Sequence, residues 1–257
     1  MHRSCCEITL CVLLAAVAGS GGAPRAAAQV QIKLLDISGD SSPIHVSGYV
    51  TFSDNPSKVT RYSYQVTASA ANTANKDILL MVMHFEASAG NAPGLDDTYR
   101  HEYFFSSKAL EPGVSESVHG SPLIVSPPFV DGQPVWTSGP STSEPKATAQ
   151  VEFVQFSDGS TWGDPEAAKD DLKARQATLQ ELELLERTYR SSGESAFRDQ
   201  LSRQVFLSCI TSLKSSCKDK RDYSRCALNK IREMLEVARN RQRVTISGVP
   251  ALAEQLP

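Results

Sequence analysis

The chain has 257 residues, a formal net charge of −3, 40% hydrophobic and 21% charged residues, 15 glycines and 14 prolines. That composition can bury a core and excludes wholesale disorder or a collagen-like repeat. The small net charge provides no field of the kind that obligate nucleic-acid binding requires.

At the N-terminus, Arg3 precedes an apolar run from Ile8 to Ala18 and a small-residue stretch ending Ala26-Ala27-Ala28. These are the three regions of a secretory signal over residues 1–28, with Ala26 and Ala28 as the small side chains a signal peptidase accepts. As a helix the apolar run rises about 16 Å, well short of the roughly 30 Å hydrocarbon layer, so cleavage rather than anchoring is expected. Cys5, Cys6 and Cys11 leave with the signal, and no later stretch approaches the length of a membrane span. The expectation is an exported protein, periplasmic or extracellular, without a transmembrane segment.

Residues 29–164 and 165–243 differ in composition. Prolines and aromatics crowd the first part, whereas Glu166 to Val249 contains no proline and only Gly193 and Gly248 as glycines. The first part is acidic and the second basic, so the small total charge hides two opposed halves. In the first part, Val30–Leu34, His45–Phe52 and Arg61–Thr67 place large apolar or aromatic groups at every second position, and Asp77–Ala87 follows. That period of two buries one face of a strand. Within Asp77–Ala87, Leu79, Met81, Met83 and Phe85 share one face and Leu80 and Val82 the other, which predicts a central strand. Tyr99–Phe105, Val114–Val118 and Ala147–Phe156 supply further strands. A series of short strands without intervening helices predicts an antiparallel immunoglobulin-like β-sandwich lacking an internal disulfide.

The most distinctive string is Val151 to Asp164, where Asp158-Gly159 marks a tight hairpin and Trp162 returns over the sandwich edge before a helix begins. Together with the polar turn Asn72–Lys76, it resembles exported bacterial immunoglobulin-like proteins of unassigned function. The resemblance spans about Val30 to Asp164, implies the sandwich fold, and brings no catalytic residue with it.

The period then changes. Leu172, Leu179, Leu182, Leu185 and Tyr189 form one face of a helix from about Pro165 to Arg190, with Asp164 as cap and Pro165 at the first position. Gly193 breaks it. Phe197, Leu201, Val205, Cys209 and Leu213 recur every fourth residue, and Ala227, Ile231, Met234, Leu235 and Ala238 form a third stripe. The fold class is therefore α+β: a sandwich over 29–164, about three amphipathic helices over 165–243, and a tail over 244–257 whose Val244–Val249 alternates like a strand.

The residues that carry chemistry are scattered. His45, His84, His101 and His119 show no metal-ligand spacing, and two adjacent acids at Asp96-Asp97, with Glu102 nearby, make a poor calcium loop. There is no nucleophile elbow, phosphate-binding loop or dinucleotide fingerprint. No cofactor is expected, and a non-catalytic role is favoured. The competing reading is a carbohydrate-binding or weakly hydrolytic protein using Trp136 or Trp162 with nearby acids, although a glycosidase requires two facing carboxylates about 5 to 10 Å apart.

Residues 214–243 concentrate positive charge. Lys214, Lys218, Lys220, Arg221, Arg225 and Arg232, with Trp162 at the joint, are the candidate interaction surface, for a protein, a membrane leaflet, an envelope polymer or the acidic half of a second copy. Aromatics for stacking bases are absent there apart from Tyr223, so nucleic acid is not expected.

Three cysteines remain after export. Cys209 on the second helix and Cys226 in the first turn of the third are level in an antiparallel hairpin, so they are expected to form the disulfide, leaving Cys217 as a free thiol or available for an intermolecular bond. The main rival pairs Cys217 with Cys226, which a third helix starting near Asp219 would make difficult.

Overall fold

The computed structural model describes residues 28–54, 62–89, 92, 94–120, 123–125, 129–131, 133–134, 144–203, 216–217 and 222–248. Two sheets face each other across one apolar core. The first has the order β1 (Ala28–Lys33), β3 (Ile44–Asp54), β4 (Tyr62–Asn72), β7 (Ser115–His119), with β8 (Leu123–Val125) also on β4. The second has the order β12 (Thr161–Gly163), β11 (Lys146–Phe156), β5 (Ile78–Ser88), β6 (Leu95–Glu102), with β2 (Leu35–Asp36) also on β11. A short β9 (Phe129–Val130) and β10 (Gln133–Pro134) pair with each other.

The strict alternation of β3 and β4 places Val46, Val50, Phe52, Tyr64, Val66 and Ala70 inward, where they meet Met81, Met83, Phe85, Val151 and Val154 of the second sheet in one cluster. Among the described strands, pairing is antiparallel except at one point. The chain leaves the first sheet after β1 and adds β2 to the second, parallel to Thr148 and Ala149 of β11. Asp36 pins this crossing by accepting from the amide of Val46 at 2.8 Å and the hydroxyl of Ser38 at 2.6 Å.

β5 is the central strand its two-faced pattern requires. Met81, Met83 and Phe85 join the sheet core and Leu80 and Val82 pack with Phe153 and Ala168 on the outer face, but Leu79, expected beside Met81, packs against the helices instead. The expected strand at Tyr99–Phe105 lies earlier, at Leu95–Glu102, and Tyr103 to Phe105 turn away. Asp96 and Asp97 thus sit within a strand, where alternation points them to opposite faces and lets Leu95 anchor the strand in the core.

The helical part begins where the cap residues place it. Asp164 accepts from the amide of Glu166 at 3.0 Å, Pro165 opens a 3₁₀ turn over Pro165–Ala168, and α1 (Lys169–Arg203) comes next. α1 is interrupted at Gly193, whose φ of 78° and ψ of −172° are not helical. Across the interruption Tyr189 meets Phe197 edge to face at 5.6 Å, and the hydroxyl of Thr188 donates to Oε1 of Gln200 at 2.6 Å. Twelve residues of unbroken helix would span about 18 Å, so the chain reverses at Gly193. α2 (Tyr223–Gly248) packs beside it through Ala227, Leu228, Ile231, Leu235 and Ala238.

Two expectations need correction. The disulfide joins Cys217 to Cys226, with Cα atoms 5.8 Å apart, and not Cys209 to Cys226. α2 starts only at Tyr223, which leaves enough chain after a buried Cys217 for it to reach the first turn of α2; Cys209 lies outside the described residues. Second, Val244 to Gly248 continue α2 and do not form a strand. Extending an existing helix fixes one residue per added hydrogen bond, which outweighs the few tenths of a kcal/mol that β-branched residues cost in a helix. The expected second helix, Phe197–Leu213, is described only to Arg203, within α1.

Candidate functional site

The helices lie on the outer face of the second sheet, and the seam between them is where polar chemistry concentrates. Arg175, on α1, falls on the same apolar stripe as Leu172 and Leu179. Its side chain is only 9% exposed. Three different elements hold it: its Nε donates to Glu102 Oε2 of β6 at 2.8 Å, its Nη1 donates to Gln155 Oε1 of β11 at 2.6 Å, and its guanidinium lies over the ring of Phe104 at 4.4 Å. Its remaining nitrogen, Nη2, is buried without a hydrogen-bond partner. A buried donor left unpaired costs about 1–3 kcal/mol and calls for an explanation.

A cleft of about 450 Å³ opens beside this arginine, lined by Leu79, Phe104, Leu172, Leu179, Gln155, Gln176 and Gln242 as well as Arg175 itself. Leucines and one aromatic supply an apolar wall, and three amides and a guanidinium supply convergent polar groups, the usual constitution of a ligand cleft. Burial pushes the Glu102 carboxyl up in pKa, and the charge of Arg175 pulls it part of the way back. The seam is fastened on both sides. Arg100 Nε donates to Asp171 Oδ2 at 3.1 Å, and Arg241 of α2 donates to the carbonyls of Tyr103 and Lys108, the latter at 2.9 Å.

The residues singled out from sequence are placed differently. Arg225 pairs locally with Asp222 at 3.0 Å, and Arg232 pairs with Glu186 of α1 at 3.3 Å. Trp162 is half-buried opposite Val154 and packs against the sheet core, so it is not a free platform. Lys214, Lys218, Lys220, Arg221 and Trp136 lie outside the described residues.

Of the histidines, His84 contacts Glu86 at 3.3 Å and Asp96 at 3.6 Å. His101 accepts or donates at 2.9 Å with the hydroxyl of Tyr99, lies 3.4 Å from Glu116 and stacks on Tyr103 at 4.2 Å. Among the described residues, no group of three or more His, Cys, Asp or Glu side chains is arranged to hold a metal ion.

The sequence carried one signal for the seam that motif reasoning passes over. Leu172 and Leu179 step by seven, and the intermediate position on their stripe is held by an arginine. A cation on an apolar stripe needs a buried partner.

Comparison with known proteins returned no significant match: no family model fits the chain, and no curated protein or solved structure resembles it.

Proposed function

We propose that this chain is a non-catalytic, exported binding module, an immunoglobulin-like sandwich carrying three helices, whose recognition site is the cleft between its second sheet and its helices. The observation that carries this reading is Arg175, which lines the cleft, is fixed by Glu102, Gln155 and Phe104, and keeps a buried Nη2 without a partner. The ligand that matches the lining is a protein segment presenting an apolar side chain to the leucines and a carbonyl or carboxylate to the guanidinium and amides. Export is supported by the signal-like residues 1–28 and by the Cys217–Cys226 disulfide, a bond that persists in the periplasm or outside the cell. The partly buried position of Trp162 weighs against the carbohydrate-binding alternative.

The test replaces Gln176, at the cleft rim, with a photoreactive phenylalanine analogue in the exported protein, and Glu194, at the exposed hairpin tip, in a control. The expected result is a discrete protein adduct from position 176 that is absent from position 194. The same adducts from both positions, adducts from neither, or a saccharide hit on a glycan array that survives filling the cleft with Gln176→Trp would overturn the reading.

A further inference from the structure

A second cleft, of about 430 Å³, lies between α1 and α2, away from the seam with the sheet, and is lined by Glu186, Arg190, Arg232, Glu236, Arg239 and Asn240. Glu186 is at its floor, its side chain 9% exposed. Arg190 Nη2 reaches Glu186 Oε1 at 2.6 Å, Arg232 Nε reaches the same oxygen at 3.3 Å, and Arg239 Nη2 stands 3.9 Å from Oε2, beyond hydrogen-bond range. The three arginine side chains are each about half or more exposed.

One carboxylate with two oxygens cannot use three guanidiniums. Each guanidinium has five N–H donors in a rigid fork, and both hydrogen-bonding contacts fall on a single oxygen. Most donors therefore remain unspent on the walls of an open cleft, and the buried carboxylate acts as a template that holds the arginines around it. Counting Glu236, the lining still carries one net positive charge. A group held this way suits an anion that accepts several N–H bonds at once, and forked guanidiniums match the oxygens of phosphate in pairs.

We propose that this interhelical cleft binds a phosphate group, with Arg190, Arg232 and Arg239 as its ligands and Glu186 as their positioning residue. The site stands apart from the sheet–helix seam and does not depend on what binds there. Its size admits a phosphoester as well as free phosphate, and a phosphate carried on a lipid headgroup shares the same chemistry.

The test titrates the intact mature protein with inorganic phosphate, with chloride as the counter-ion control, and tracks the arginine Nε–H signals by NMR. Arg239 makes no hydrogen bond to Glu186, so Arg239→Gln removes a ligand while leaving the structural pair in place, and the circular dichroism spectrum should be unchanged. The expected results are saturable shifts of the signals of Arg190, Arg232 and Arg239 with phosphate but not chloride, and an affinity about tenfold lower in Arg239→Gln, the loss of one charge-assisted hydrogen bond. Arg225→Gln, in the first turn of α2 where the arginine pairs with Asp222, should bind as the wild type does.

A parallel arm measures sedimentation with phosphatidylglycerol and phosphatidylcholine vesicles. Binding to the anionic vesicles that Arg239→Gln weakens assigns the phosphate to a headgroup, and phosphate binding without vesicle binding assigns it to a soluble ester. No phosphate-specific shift, or an affinity indifferent to Arg239→Gln, would overturn the proposal.

Discussion

Arg175 ties three elements together, so its loss is felt at all three. Removing one member of a buried ion pair strands the other, at a cost of about 3 kcal/mol here, the lower end of the range because Glu102 is partly open to solvent. Arg175→Met should therefore lose about that much stability in urea unfolding, while Arg175→Met combined with Glu102→Gln should lose clearly less. Equal losses in the single and double variants would show that the pair is not coupled.

Charge also acts at the turn between β11 and β12. Asp158, hydrogen-bonded by Lys76 and then by Ser160, has its pKa held down at about 2. A carboxyl whose pKa is depressed on folding adds stability above its unfolded value, near 3.8, and loses it as pH falls towards 2. The pair is half-exposed, so the amount is that of a surface ion pair, about 0.2–1 kcal/mol. Asp158→Asn should flatten that part of the acid limb, and an unchanged limb would refute the assignment.

At the scale of elements, two glycines mark the places where the chain must turn and cannot tolerate a side chain for different reasons. At Gly163, φ is 89° and an added Cβ would stand 2.1 Å from the carbonyl oxygen of Glu152, so Gly163→Ala must push β12 off β11. At Gly193, φ is 78° and nothing lies within 4 Å of an added Cβ, so only the backbone term applies, about 1–3 kcal/mol. Thermal unfolding should rank Gly163→Ala as the more damaging, and the reverse order would argue against the β12 pairing.

The disulfide also belongs at this scale. Closing a loop of nine residues' separation contributes about 2.7 kcal/mol in the loop-closure model. Non-reducing peptide mapping should recover Cys217 linked to Cys226, and reduction should lower stability by roughly that amount. A Cys209–Cys226 peptide would contradict the structure.

These elements were unequally legible in the sequence. The alternation in β3, β4, β5 and β11 and the Asp164-Pro165 start are local signals, and local signals survive folding. The disulfide was missed because it depends on where α2 begins, and loop length is poorly fixed by periodicity. β6 was displaced because two adjacent aspartates look like a loop until a neighbouring strand pairs with them. The seam was invisible because Glu102, Gln155 and Arg175 are distant in sequence, and only the arginine on an apolar stripe hinted at it.

On the scale of the whole molecule, the sheet and the helices share apolar surface as well as ion pairs. Leu79 and Phe104 belong to the same cluster as Leu182, Phe197 and Ile231, and Leu80, Val82 and Phe153 pack with Ala168. A chain ending at Asp164 would expose Leu79, Leu80, Val82, Phe104 and Phe153. The change of composition at residue 165 therefore marks a change of secondary structure within a body whose halves are packed together. No helix among the described residues is long and apolar enough to cross a membrane. Among them, the exposed large apolar side chains are Val30, Leu35, Ile37, Val114 and Leu184, three of them near the crossing from β1 to β2.

The cleft between sheet and helices exists only if its two walls stay together, so sheet and helices should unfold as one. Urea unfolding monitored by two probes tests this directly. In a Trp136→Phe background, Trp162 fluorescence reports the sheet side, and far-ultraviolet circular dichroism reports α1 and α2. Coincident transitions, both moved to lower urea by Arg175→Met, are the expected result. A helical signal that is lost first while Trp162 keeps its native emission would contradict it.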